Sequence, residues 1–151
     1  MKIDIYIQGM TRSPAVQKCA MAGWFISCVL SNGTVETRYG IAVVRNATIK
    51  KAVLTALDEC LGLFNKAAVL RIYISDDYVR NALISGWPRR WKANAWRKIR
   101  LNGEVKYLDL WRGISEKLSN HAVTYARGEE LDNKILKQLE EKMKNARGSG
   151  G

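Results

Sequence analysis

The sequence predicts an α/β domain built on one mixed five-stranded sheet, three antiparallel N-terminal strands plus two parallel ones, with helices on both faces. Three observations predict it. The chain opens on a strand of period two, followed by two apolar runs joined through Asn32-Gly33, a hairpin signal. Later apolar runs alternate with segments of helical period, the order of strands linked by crossovers. The 151 residues, 47% of them apolar, suffice for one buried core.

The elements follow in order. Lys2 to Gly9 alternates Ile3, Ile5 and Ile7 with Asp4, Tyr6 and Gln8, a strand with one apolar face. Met10 to Gln17 contains Ser-Pro and reads as a loop. Gly23 to Ser31 and Val35 to Val44 are the two arms of the hairpin, since Asn32 and Gly33 both tolerate positive φ. Asn46 suits a helix N-cap. Behind it Val53, Leu54, Leu57, Cys60, Leu61 and Phe64 recur at helical spacing, predicting a helix from about Thr48 to Leu63. Ala68 to Ile74 is apolar enough for a central strand covered on both faces. Ser75-Asp76-Asp77 caps a short helix reaching Ile84. Leu108 to Leu118 is helical, Ala122 to Arg127 a short strand, and Asp132 to Asn145 a last helix carrying Ile135, Leu136, Leu139 and Met143 on one face. Residues 1–146 read as one domain and 147–151 as a flexible Gly/Ser tail.

Charge is the unusual property. Lysine and arginine outnumber acids 25 to 14, a net +11 that favours polyanionic partners. Six of these cations, Arg89, Arg90, Lys92, Arg97, Lys98 and Arg100, fall between Gly86 and Arg100 with no acid among them. Trp87, Trp91 and Trp96 interleave with them. Such a stretch needs a packed side and a charged side. Trp87 and Trp96 are expected in the packed side, with Trp91 partly exposed. Arg12, Lys50 and Lys51 would extend the patch.

Other chemistries find little support. Cys19, Cys28 and Cys60 show neither a disulfide framework nor zinc-ligand spacing, and Cys28 and Cys60 read as small core residues. This favours a reducing, cytoplasmic setting. There is no signal-peptide core and no run of membrane-spanning length. His121 is the single histidine, and no nucleophile–base pair or glycine-rich phosphate loop is recognisable.

The strand and helix order resembles that of type I ribonuclease H. So do particular segments: Tyr73-Ile-Ser-Asp-Asp-Tyr-Val-Arg-Asn-Ala-Leu83, the trio Trp87, Trp91 and Trp96, Lys106-Tyr-Leu-Asp-Leu-Trp111, and His121-Ala-Val-Thr-Tyr-Ala-Arg-Gly128. The resemblance covers roughly residues 2 to 140 and implies a ribonuclease H-like fold. In that family four carboxylates hold two Mg²⁺ ions that cleave the RNA strand of an RNA–DNA hybrid. Carried over residue by residue, the four positions read Gln8, Ile49, Ser75 and, near the fourth, Lys137. The family's mobile histidine falls on Glu129, and His121 falls on a non-catalytic position. Mg²⁺ requires hard oxygen donors in tight geometry, so this set implies no metal and no catalytic residues.

Displaced acids offer an alternative. Asp4, Asp76, Glu129 and Asp132 are the candidates for a relocated Mg²⁺ centre. Against this, Asp4 stands about 13 Å from Gln8 along the strand. Asp76 and Asp77 suit a helix cap, and Glu129, Glu130 and Asp132 suit the start of the last helix. The resemblance also implies that the basic tryptophan stretch is the family's protrusion, which grips the DNA strand. Asn46 falls on a family position that contacts the substrate backbone. The expected nucleic-acid-binding residues are therefore Asn46, Arg89, Arg90, Trp91, Lys92, Arg97, Lys98 and Arg100. The leading expectation is a catalytically inactive domain binding an RNA–DNA hybrid or A-like duplex. The alternatives are an active Mg²⁺-dependent nuclease using relocated acids, and a protein-interaction or inhibitor module on the same fold.

Overall fold

The computed structural model describes residues 2–94, 106–126 and 133–149. The strands are β1 (Lys2–Gly9), β2 (Gln17–Val29), β3 (Val35–Ala47), β4 (Val69–Ile74) and β5 (Ala122–Tyr125). The helices are α1 (Ile49–Leu61), α2 (Asp77–Ile84), α3 (Trp87–Ala93), α4 (Leu108–Leu118) and α5 (Asn133–Ser149). The sheet order is β3-β2-β1-β4-β5. β1 pairs antiparallel with β2, and β2 with β3. β4 runs parallel to both β1 and β5. The expected order of strands and helices and the mixed sheet are both present.

The period-two pattern of β1 decides the two layers. Ile3, Ile5 and Ile7 enter the large core with Leu70, Ile72 and Ile74 of β4 and the buried stripe of α1. That stripe, Ile49, Ala52, Val53, Leu54, Ala56, Leu57, Cys60 and Leu61, recurs at three- and four-residue steps. α4 packs beside α1 through Trp111 and Ile114. On the opposite face Tyr6 and Phe25 meet Leu139 of α5. β4 is central in order but alternates in burial, with Arg71 and Tyr73 only half-buried. Its expected double cover is therefore partial: α5 lies over β1 and β2.

Several boundaries differ from expectation. β2 begins at Gln17, not Gly23, because its ladder with β3 continues to the Gln17–Ala47 pair. Backbone pairing extends past the apolar residues that betray a strand. In the hairpin only Gly33 takes positive φ, +85°. Asn32 instead accepts the Thr34 N–H on its side-chain oxygen at 2.9 Å. Asn46 does not cap α1. It is the penultimate residue of β3, with φ +50°, and Thr48 is the N-cap, accepting from the Lys51 N–H at 3.2 Å. β5 stops at Tyr125, short of Arg127. α5 runs to Ser149, into the segment expected as tail. Among the described residues, no helix is long and apolar enough to cross a membrane.

Candidate nucleic-acid interface and cleft

β1 and β4 run parallel with Ile7 opposite Ile74, so the two strands end side by side. Ser75 follows directly. Its N–H donates to the Ile7 carbonyl at 2.9 Å, and its Oγ accepts the Gly9 N–H at 3.0 Å. The first residue of α1, Ile49, is buried over Gly9. A Cβ at Gly9 would lie 2.5 Å from Ile49 Cγ2, so only glycine lets the helix start approach the strand end this closely. Ile49 and Ser75 thus meet at Gly9, while Gln8, one residue earlier, lies on the Tyr6 side of the strand by its period of two. Lys137 is exposed on α5.

A cleft of about 480 Å³ opens beside this point. The loop 11–14, the start of α1, the β4–α2 turn and the start of α4 line it. Thr48 and Tyr107 tie two of these walls together, their hydroxyls 2.7 Å apart. Tyr107 holds φ +60° as it enters α4. On the α2 wall, Asp76 Oδ1 accepts the Val79 N–H at 2.9 Å, capping α2. Asp77 pairs with Arg80 at 2.6 Å. Burial, then the nearby Asp76 carboxylate, pushes the Tyr78 phenol above its ordinary range.

The displaced acids do not come together within the described region. Asp4 pairs with Ser27 and Arg71 inside the sheet, away from the strand ends. Glu129 and Asp132 lie outside the described residues. Among the described residues, no three His, Cys, Asp or Glu side chains group closely enough to hold a metal ion. His121 is structural: its Nδ1 accepts the Ala68 N–H at 3.1 Å, and its ring meets Phe64 edge-on.

α3 carries the described part of the basic stretch. Arg89, Arg90 and Lys92 are all exposed. Trp91 is not the partly exposed residue expected. It is 6% exposed, while Trp87 is 37% exposed. The helix is short and begins at Trp87, so Pro88 and Trp91, three residues apart, form its buried face. Trp91 stacks edge-on against the fully buried Trp111 at 5.3 Å, so it anchors the helix and is withdrawn from any ligand. Trp87 bridges outward, 5.9 Å from Trp91 and 6.1 Å from Tyr78. Since Tyr78 lines the cleft, the aromatic row joins the cleft wall to α3. Trp96, Arg97, Lys98 and Arg100 lie outside the described residues.

Sequence reasoning passed over Lys106 and Tyr107 as site residues, though both line the cleft. They are 57 or more positions from Ile49 in sequence, and nothing local marks them. Asn46 is exposed at the end of β3, and it is not among the cleft residues.

Known proteins share this chain's sequence and fold. A ribonuclease H from Chlorobium phaeovibrioides is 32% identical over 124 residues, covering 82% of this chain and 80% of that protein. The chain belongs to the ribonuclease H family. A second ribonuclease H, from Chlorobium luteolum, is 30% identical over 125 residues with the same coverage. In other ribonuclease H relatives the match is shorter, spanning about half their length: 53% in Chlorobium phaeobacteroides and 46% in Syntrophus aciditrophicus. No family profile matches the chain. Among solved structures, LC9-RNase H1, a type 1 RNase H with the type 2 active-site motif, superposes with a TM-score of 0.67 at 16% identity, over 84% of this chain and 63% of that one. A foamy viral protease-reverse transcriptase solved with double-stranded DNA gives 0.66 at 14% identity, over 93% and 88%. The ribonuclease H fold is therefore shared well beyond recognisable sequence.

Proposed function

We propose that this ribonuclease H domain binds an RNA–DNA hybrid or A-like duplex without cleaving it, gripping the phosphate backbone through α3 and the basic residues that follow. The observation that carries the reading is the point where β1, α1 and β4 meet. The family's chemistry needs carboxylates there, and this chain has Gln8, Ile49 and Ser75. Ile49 offers no donor atom and fills the space over Gly9 with methyl groups. The Ser75 hydroxyl already serves the Gly9 N–H. Mg²⁺ takes near-octahedral hard oxygen ligands, so the described donors do not fit it. The grip is supported independently. Arg89, Arg90 and Lys92 are exposed on a helix that Trp91 pins to the core. Cations held on a rigid element neutralise strand phosphates and release counterions.

A second reading is favoured by the relatives' own name and by Asp76 and Asp77 on the cleft wall. In it, relocated acids support metal-dependent cleavage. Incubating end-labelled hybrid with the protein and Mg²⁺ separates the two. Intact hybrid, bound equally in Mg²⁺ and in EDTA, is the expected result. Cleavage that vanishes in Asp76→Asn would establish the second reading. A gel-shift titration with salt tests the grip, and affinity at low salt that is indifferent to Arg89→Glu/Arg90→Glu would refute it.

A further inference from the structure

The charges in the cleft are unevenly satisfied. Arg12, Lys50 and Lys106 line it from three different segments. Among the described residues none of the three has a carboxylate partner. The Lys50 ammonium lies 4.2 Å from the Tyr78 ring centre, and that of Lys106 lies 5.2 Å from the Tyr107 ring centre. The two acids of the same cleft are already engaged, Asp76 by the α2 backbone and Asp77 by Arg80. The Ser75 hydroxyl accepts from Gly9, which leaves its own proton to donate. The cleft therefore presents three cations that no described carboxylate pairs with, and a hydroxyl donor, beside two carboxylates committed to α2. A site without the carboxylates to hold Mg²⁺ still answers a phosphate if other groups supply positive charge.

We infer that the cleft is a metal-free phosphoryl site, in which Arg12, Lys50 and Lys106 hold one backbone phosphodiester of the bound strand directly. The inference rests on the hybrid-binding reading for its ligand. The Tyr78–Trp87 contact makes the cleft continuous with α3, so one strand reaches both. Ammonium and guanidinium groups bond phosphate oxygens without the strict ligand count that Mg²⁺ imposes.

The test uses the full chain in EDTA, with two probes: inorganic pyrophosphate and a labelled RNA–DNA hybrid. The variants are Arg12→Gln/Lys106→Gln and Lys50→Gln, with Lys18→Gln/Arg38→Gln as a charge-matched control on the exposed hairpin. Pyrophosphate is expected to bind saturably, about tenfold or more weakly in the cleft variants and unchanged in the control. Hybrid affinity should fall in the cleft variants, with the logarithmic salt slope smaller by about one. Hybrid binding unchanged in affinity and slope by the cleft substitutions overturns the inference and leaves the grip by α3 standing. Absence of saturable pyrophosphate binding, or equal loss in the control, also overturns it. Pyrophosphate binding lost in the cleft variants, together with no hybrid binding by the unsubstituted chain, upholds the phosphoryl site and sinks the hybrid-binding reading.

Discussion

Ile49 at the start of α1 presses on Gly9 at the end of β1, so that a Cβ on the glycine would come within 2.5 Å of Ile49 Cγ2. This contact closes the strand end with hydrocarbon. It also makes the two positions energetically dependent.

Gly9→Ala should destabilise the domain by about 1–3 kcal/mol through overpacking. Ile49→Ala should cost about 2–4 kcal/mol by leaving a cavity. The double variant should cost clearly less than the sum, because the smaller side chain accommodates the new methyl. Urea unfolding of the three variants measures this. Strict additivity would show that the helix start moves away from the strand.

The Thr48–Tyr107 hydroxyl pair should contribute to stability across the cleft. Tyr107→Phe should cost about 1 kcal/mol, the worth of one hydrogen bond. Thr48→Val should cost about 1–2 kcal/mol, since it also removes the α1 cap. Tyr107→Phe in the Thr48→Val background should cost less than it does alone, which thermal or urea melts will show.

The tryptophans of α3 should separate cleanly. Trp91→Ala should cost about 3–5 kcal/mol, the range for a large buried aromatic. Trp87→Ala should cost about 1 kcal/mol, since its ring is 37% exposed and chiefly joins Tyr78 to Trp91. Near-equal losses in chemical denaturation would contradict the observed burial.

Charge reversal on α3 should act on binding alone. Arg89→Glu/Arg90→Glu should leave stability within about 0.5 kcal/mol, because both side chains are exposed. Hybrid affinity should fall strongly, and the difference from the unsubstituted protein should shrink as salt rises. Circular dichroism melts and anisotropy titrations measure the two effects side by side.

Alkaline stability should report on Tyr125. Burial pushes its phenol up to about 12 from an ordinary value near 10. Above pH 10 the unfolded chain releases this proton while the folded chain keeps it. Stability present below pH 10 is therefore lost as the pH climbs toward 12, by about 2 kcal/mol at most. Tyr125→Phe should remove that part of the slope in denaturation curves taken across this range.

How much was legible beforehand depended on the range of the interaction concerned. The alternation Ile3, Ile5, Ile7 and the helical spacing from Val53 to Leu61 set out the sheet and α1 directly, because burial on one face imposes a period on the sequence. Asn32-Gly33 marked the hairpin and Asp76 marked the α2 cap, since turn and cap chemistry is local. The expectation that Gln8, Ile49 and Ser75 stand at the family's carboxylate positions came from the resemblance of the sequence alone. Tertiary structure decided the rest. It moved the α1 cap from Asn46 to Thr48, because the β3 ladder runs on to Ala47. It exchanged the roles of Trp87 and Trp91, because Trp111, twenty positions on, offers the buried partner. It brought Lys106 and Tyr107 to the start of α1 and so completed the cleft. Long-range packing chooses among side chains that local sequence leaves equivalent, and a site assembled from distant segments depends on that choice.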